Sequence, residues 1–252
     1  MTTSAVPIVN LGLKYVNGLE VSRTSNTVLA IAAGQCRDST NVFDIVSSSA
    51  LALNAANTGA NGIDTGTFAA SKMYYIYLVM DPTNTNAVAS VMSLSASGPT
   101  TMPSGYSVYR LVAAWGTDSS VHFYVGDYSG NGNQRVFYYD ALLVSPVTAG
   151  AQTSFTAIDL INLVPAIDNL QVNFYMNFNA NAAADTAAFR PTGSSSTNGQ
   201  HVMTAQVAGA TAHLDQKVTL LTKLSTAHPS VDYKVSAGAI AVDIEGFILN
   251  LN

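Results

Sequence analysis

Alternation of period two, with helical periodicity almost absent, is what most constrains this chain. From Leu170 to Phe178, the residues Leu170, Val172, Phe174, Met176 and Phe178 fall on one face. Gln171, Asn173, Tyr175 and Asn177 fall on the other. One apolar side at that period is the mark of a half-buried strand. Val231, Tyr233 and Val235 repeat the pattern against Asp232 and Lys234, and Ile240, Val242 and Ile244 continue it with Asp243 and Glu245 outward. After Gly246 the phase slips to Phe247, Leu249 and Leu251, which predicts a β-bulge at the glycine. Met73 to Met80, Tyr106 to Trp115 and Val121 to Tyr128 are apolar on both faces. Such strands belong at the centre of a sheet or in a subunit interface.

Candidate strands recur roughly every ten to fifteen residues, separated by Gly, Asn, Asp, Ser and Pro clusters, the spacing of a sandwich or barrel. Asn131-Gly132 lies between aromatic strands and predicts a hairpin of Val121–Tyr128 with Gln134–Leu143. Two stretches read as short helix: one turn within Thr156 to Pro165, and a segment around Val42 to Ala52. A boundary falls at Ser145-Pro146-Val147-Thr148-Ala149-Gly150, where an aromatic-rich chain gives way to one rich in Ala, Thr and Asn. The expected fold is all-β, two β-sandwich (jelly-roll-like) modules in tandem with little helix. The modules are an N-terminal aromatic-rich one over 1–145 and a C-terminal sandwich over 146–252. One continuous sandwich with a long crossover is the alternative.

At 252 residues the chain can bury roughly three quarters of its unfolded surface and needs no staples. Only 10% of its residues are charged while 48% are hydrophobic, which excludes disorder. A surface poor in long mobile charges favours self-association. The net charge of −5 and ten scattered basic residues argue against nucleic acid as a partner. The longest strongly apolar run, Met73 to Met80, is far too short for a membrane-spanning helix. Met1 to Pro7 has neither the basic start nor the apolar core of a signal peptide, so assembly in a cytoplasm is the expectation.

The residues offer little chemistry. The single Cys36 excludes an intrachain disulfide and a cysteine-based zinc site, and a small buried apolar role fits it better than a reactive thiol. His122, His201, His213 and His228 have no metal-pair spacing. No nucleophile elbow, phosphate loop or dinucleotide fingerprint occurs. Gly193 to Gly199 has the composition of an exposed loop. Asp81-Pro82 opens a turn and lacks the carboxylates of a calcium loop. A glycosidase-type pair would draw on Asp38, Asp64, Asp81, Asp118, Asp127, Asp185, Glu20 or Glu245, and nothing in the sequence brings two of these together. No catalytic, cofactor or metal residue is assigned, and the chain is expected not to be an enzyme.

Binding has a better case. Tyr74, Tyr75, Tyr77, Tyr106, Tyr109, Tyr124, Tyr128, Tyr138 and Tyr139 cluster before residue 145 with Trp115. Core packing is the first reading, a subunit interface the second and sugar stacking the third. Tyr106, Trp115 and Tyr128 are the candidates for glycan or interface contact.

Several segments carry a resemblance. They are Gly34-Gln35-Cys36-Arg37-Asp38-Ser39-Thr40-Asn41, Asn61-Gly62-Ile63-Asp64-Thr65-Gly66, Tyr74-Tyr75-Ile76-Tyr77-Leu78 and Pro103-Ser104-Gly105-Tyr106 leading to Tyr109-Arg110, followed by the turn Thr117-Asp118-Ser119-Ser120. Later come Asp159-Leu160 to Val164-Pro165, Phe189-Arg190-Pro191-Thr192-Gly193 and Asp232-Tyr233-Lys234-Val235-Ser236. Together they resemble tail-fibre and minor virion structural proteins of tailed bacteriophages. The chain departs from long fibres in lacking a shaft, a coiled coil and a self-cleaving chaperone domain. The resemblance implies a tail-fibre, head-fibre or decoration component of the virion, assembled in the bacterial cytoplasm. It implies a homo-oligomer, with a trimer favoured, and contacts to other virion proteins and to host cell-surface glycan. A carbohydrate-binding (lectin-like) module is the alternative, and a polysaccharide depolymerase the third reading.

Overall fold

The computed structural model describes residues 14–130, 132–140, 145–195, 200–206, 212–225 and 228–251. In chain order the strands are β1 (Val16–Gly18), β2 (Val21–Arg23), β3 (Val28–Ile31), β4 (Gly34–Arg37), β5 (Asp44–Ser47), β6 (Leu51–Asn54), β7 (Gly62–Ile63), β8 (Met73–Asp81), β9 (Asn84–Ser93) and β10 (Val108–Gly116). There follow β11 (Gly126–Ser129), β12 (Gln134–Tyr139), β13 (Val147–Gly150), β14 (Thr156–Asp159), β15 (Gln171–Ala180) and β16 (Thr186–Pro191). The last are β17 (His201–Thr204), β18 (Ala212–Leu221), β19 (Lys223–Ser225), β20 (His228–Val235) and β21 (Ala239–Asn250). The protein is all-β, with no helix among the described residues.

Two three-stranded sheets, β1-β4-β5 and β2-β3-β6, lie against a four-stranded sheet of order β10-β8-β9-β7. A six-stranded sheet of order β11-β12-β21-β15-β18, with β13 also on β21, faces a five-stranded sheet of order β14-β20-β16-β17, with β19 on β20. Phe174, Met176, Phe178, Val242 and Ile244 from the larger sheet join Phe189, Val231, Tyr233 and Val235 from the smaller in one core. Pairing crosses position 145: β12 is bonded to β21, with Phe137 opposite Phe247.

The half-buried strands stand where alternation puts them, and β15 is buried at every second residue. The bulge occurs at Gly246, where β15 shifts register between Asn173 and Phe174. A Cβ there would fall 1.9 Å from the Phe137 carbonyl oxygen, so only glycine allows β12 to approach. β8 is central between β10 and β9, and Met73 to Met80 are all buried within the single chain. No partner subunit is needed to cover it. The hairpin forms in part: β11 pairs β12 with Tyr128 opposite Phe137, while Asn131 and 141–144 lie outside the described residues.

Four expectations are corrected. Thr156 to Pro165 forms a turn before Pro165 but no helix: Thr156–Asp159 is β14, paired with β20, and the turn is opened by the Asp159 carboxylate on the Ile161 amide at 2.9 Å, closed by the Leu163 and Val164 amides on the Leu160 carbonyl, and passes through left-handed Asn162 at φ 62°. The Val42 to Ala52 stretch forms β5 and β6. Its entry loop is fixed by Asp38, whose carboxylate accepts the amides of Thr40, Val42 and Phe43 at 2.7–2.9 Å. That leaves Ile45 and Ser47 inward at strand spacing. Residues 121–125 form a loop and not the first half of a strand, because Asp118 accepts the amides of Ser120 and His122 and prolongs the turn. Asp232 does not face solvent: it is buried, accepting Arg190 Nε and the Gly193 amide at 3.2 Å. Phe155 lies 3.7 Å beneath that guanidinium.

Candidate ligand-binding groove

The three aromatic candidates fall mostly inside. Trp115 is 0% exposed; its ring meets Phe123, Tyr128 and Phe137 edge-on and its Nε1 donates to the Tyr124 carbonyl at 2.9 Å. Tyr128 is 8% exposed, and its hydroxyl both donates to the Ala114 carbonyl at 2.6 Å and accepts the Ala114 amide at 2.9 Å. Neither ring offers a face to a ligand or to a partner. Tyr106 is half-buried against the core. Other tyrosines behave like Tyr128: Tyr77 donates to Ser95, Tyr109 to Ser97 and Tyr139 to Leu163, each at a backbone carbonyl. Burial raises the Tyr77, Tyr128 and Tyr139 hydroxyls well above the ordinary tyrosine pKa, so all stay neutral donors.

A different tyrosine is free. Along β12, Arg135, Phe137 and Tyr139 point into the core, so Tyr138 points out and is 48% exposed. Directly across the hairpin stands Asp127. Gly126 lets the strands close: a Cβ there would lie 2.4 Å from the Tyr138 carbonyl oxygen and 2.7 Å from the Phe137 ring. Beside Tyr138, the Val125 side chain is 51% exposed. These residues, with Arg23, Tyr139 and Asp140, line a cleft of about 430 Å³.

A second cleft of about 500 Å³ shares Arg23 and Val125 with the first, so the two adjoin at these side chains and are described together as one groove. Its other walls include Asn26, Ser71, Asp118, His122 and Tyr124. Arg23 reaches the groove from the end of β2. Its Nε donates to the Phe123 carbonyl at 3.1 Å, and its Nη2 donates to Asn26 Oδ1. The guanidinium makes no ion pair among the described residues, and it lines both clefts. His122 Nδ1 sits 3.7 Å from Asp118 Oδ2. Burial, and then the Asp118 charge, push the Tyr124 hydroxyl upward. Val121 at φ 63° and Ser71 at φ 52° hold the rim in left-handed backbone. A β-branched residue there stores strain of the kind found at binding loops.

The groove thus combines one open aromatic ring, an adjoining aliphatic side chain, a planar cation and carboxylates. That set suits a ligand with a flat apolar face and several hydroxyls. Among the described residues no group of three or more His, Cys, Asp or Glu is arranged to hold a metal. Cys36 is buried, and burial pushes its thiol up to about 12. His228 pairs with Asp159 at 3.0 Å; the His213 side chain and residues 196–199 of the Ser-rich loop lie outside the described residues. Asp81 turns the chain by accepting the Thr83 amide at 2.8 Å and hydroxyl at 2.7 Å.

No protein-family model and no curated protein sequence matches the chain. Among solved structures it is similar to a carbohydrate-binding module of Cellvibrio mixtus lichenase 5A, determined in complex with cellotriose. The identity is 11%, the match covers 50% of this chain and 86% of that one, and the TM-score is 0.22. A likeness of that degree carries no argument about the ligand.

Proposed function

We propose that this chain is a structural protein of a tailed-phage virion, not an enzyme, and that it holds host-surface carbohydrate in the Tyr138 groove. The observation that carries the carbohydrate reading is Tyr138 itself. It is the exposed ring on a hairpin whose other aromatics are locked inward, and it faces Asp127 across the ladder. Rigid aromatic faces supply contact area at low entropic cost, and carboxylate and guanidinium groups beside them fix hydroxyls. With Asp118, Asp127 and Asp140 around a single Arg23, the groove favours neutral or amino sugars over acidic ones. The particle role is supported by the resemblance of the short segments to virion proteins and by a surface poor in long charged side chains, with only 10% charged residues.

Calorimetric titration with purified envelope polysaccharide of the host tests the first half. Tyr138→Ala is expected to weaken binding about tenfold, roughly 1.4 kcal/mol, with the melting temperature unchanged. Equal binding by parent and variant would sink the groove as the site. Immunogold labelling of purified particles tests the second half. Labelled virions support a structural role; unlabelled virions with intact sugar binding leave a freestanding carbohydrate-binding module.

A further inference from the structure

We infer that the protein pairs with a second copy of itself along the free edge of β18, antiparallel and centred on Gln216. Sheet edges in soluble proteins are kept short, bulged or covered because an open ladder templates further pairing. Most edges here obey that rule. β11, β14 and β17 have four residues each, β7 has two, and the ladder of β10 is broken by a register shift between Leu111 and Ala113. β18 does not. It runs for ten residues, pairs β15 at ten consecutive positions without a shift, and has no partner on its other side among the described residues. It contains no proline.

The side chains select the partner. Asp215 and Lys217 lie on one face of β18, two residues apart. In an antiparallel pair centred on Gln216, Asp215 of each copy stands opposite Lys217 of the other, and Leu214 opposite Val218. Opposite charges directly across a ladder are stabilising, and like charges are not. Lys217 already meets Glu245 at 2.5 Å on its own sheet. The second copy would place Asp215 on its other flank, so the ammonium would lie between two carboxylates. Both sequence and register are self-complementary, which is the requirement of a two-fold interface. The product is a twelve-stranded sheet across the dimer, six strands from each copy. The pairing does not depend on what the groove holds.

The test is disulfide trapping in the full chain. Gln216 is exposed and Cys36 is buried, so a cysteine placed at 216 is the only accessible thiol among the described residues. Gln216→Cys is expected to form a covalent dimer under mild oxidation, because the two residues 216 face each other. Thr219→Cys is the control; its copies would lie about 20 Å apart at strand spacing and should stay monomeric. Dimer from both variants, or from neither, overturns the register. A charge test follows by light scattering. Asp215→Lys and Lys217→Asp should each raise the dimer dissociation constant at least tenfold, and an equimolar mixture of the two should restore association. A parent chain that stays at 26.3 kDa up to its solubility limit, or a mixture that stays monomeric, refutes the pairing.

Discussion

Arg135 is the perturbation with the largest expected effect. It is fully buried, and all its described partners are backbone carbonyls. Nη1 donates to Leu19 O at 2.6 Å and Val112 O at 3.1 Å, Nη2 to Gly18 O at 2.5 Å, and Nε to Gly132 O at 3.3 Å. One side chain thus ties the turn after β1, the middle of β10 and the β11–β12 connection together. Burial lowers its pKa, but nearby Tyr128, Glu20 and Cys36 oppose the shift, and an arginine remains charged. Arg135→Met keeps the volume and removes every donor. Each charge-assisted bond contributes roughly 1.5–3 kcal/mol net, and each stranded buried carbonyl costs about 1–3 kcal/mol. Releasing a buried guanidinium to solvent in the unfolded chain no longer matters for the variant, which returns several kcal/mol. Counting the two short bonds, the two carbonyls they strand and that return, the expected loss is about 3 kcal/mol, or roughly 6–12 °C in melting temperature for a chain of this size. Arg135→Lys should recover less than half, since one ammonium cannot span carbonyls on three elements. Urea unfolding followed through Trp115 fluorescence is the assay, because that ring packs 5.0 Å from Phe137 on the same strand. A methionine variant within about 1 kcal/mol of the parent would refute the claim that carbonyl satisfaction outweighs guanidinium desolvation here.

Two further outcomes follow from buried titratable groups. Burial raises the Asp38 pKa, but hydrogen bonds from Thr40, Phe43 and Val42 outweigh it and hold the carboxyl below its usual range. A depressed folded-state pKa contributes stability above the unfolded value near 4 and loses it as pH falls through the folded value. Asp38→Asn should therefore narrow the stability difference between pH 6 and pH 3, and an unchanged acid limb in thermal melts would count against the assignment. Cys36, its thiol raised by burial, should resist a disulfide reagent at pH 8 in the native protein and react fully in guanidinium; fast native labelling would show that β4 opens.

The fold was legible where one face of a strand was polar. β15 could be placed residue by residue because Leu170 to Phe178 alternates without a break, and Gly246 marked its own bulge. It was illegible where a side chain and not a pattern decided the path. Asp38 and Asp118 each capture amides two to five residues ahead, and no periodicity reports that capture. Asp232 looked outward by alternation, but Arg190 and Phe155 cover that face from another strand and a loop. Arg135 shows the converse. Three of its four partners are 23 to 117 residues away, yet strand parity alone puts it on the face of Phe137 and Tyr139.

The same parity separates the tyrosine proposed for ligand contact from the ones packed inside. Ten tyrosines before residue 145 cannot be ranked by composition, and of the candidates Tyr106, Trp115 and Tyr128 the last two are the ones the core holds. A buried tyrosine must satisfy its hydroxyl: Tyr77, Tyr128 and Tyr139 donate to main-chain carbonyls, Tyr75 accepts the Ala166 amide, and Tyr15 donates to the Asp44 carboxylate. A tyrosine meant for a ligand must keep both ring and hydroxyl free, so it belongs on the polar side of its strand. Tyr138 meets that condition, sharing its face with Gln134 while Phe137 and Tyr139 fill the interior. In an aromatic-rich β protein the candidate for recognition is therefore the ring that breaks the apolar alternation, and the rings that obey it are the ones that hold the groove in place.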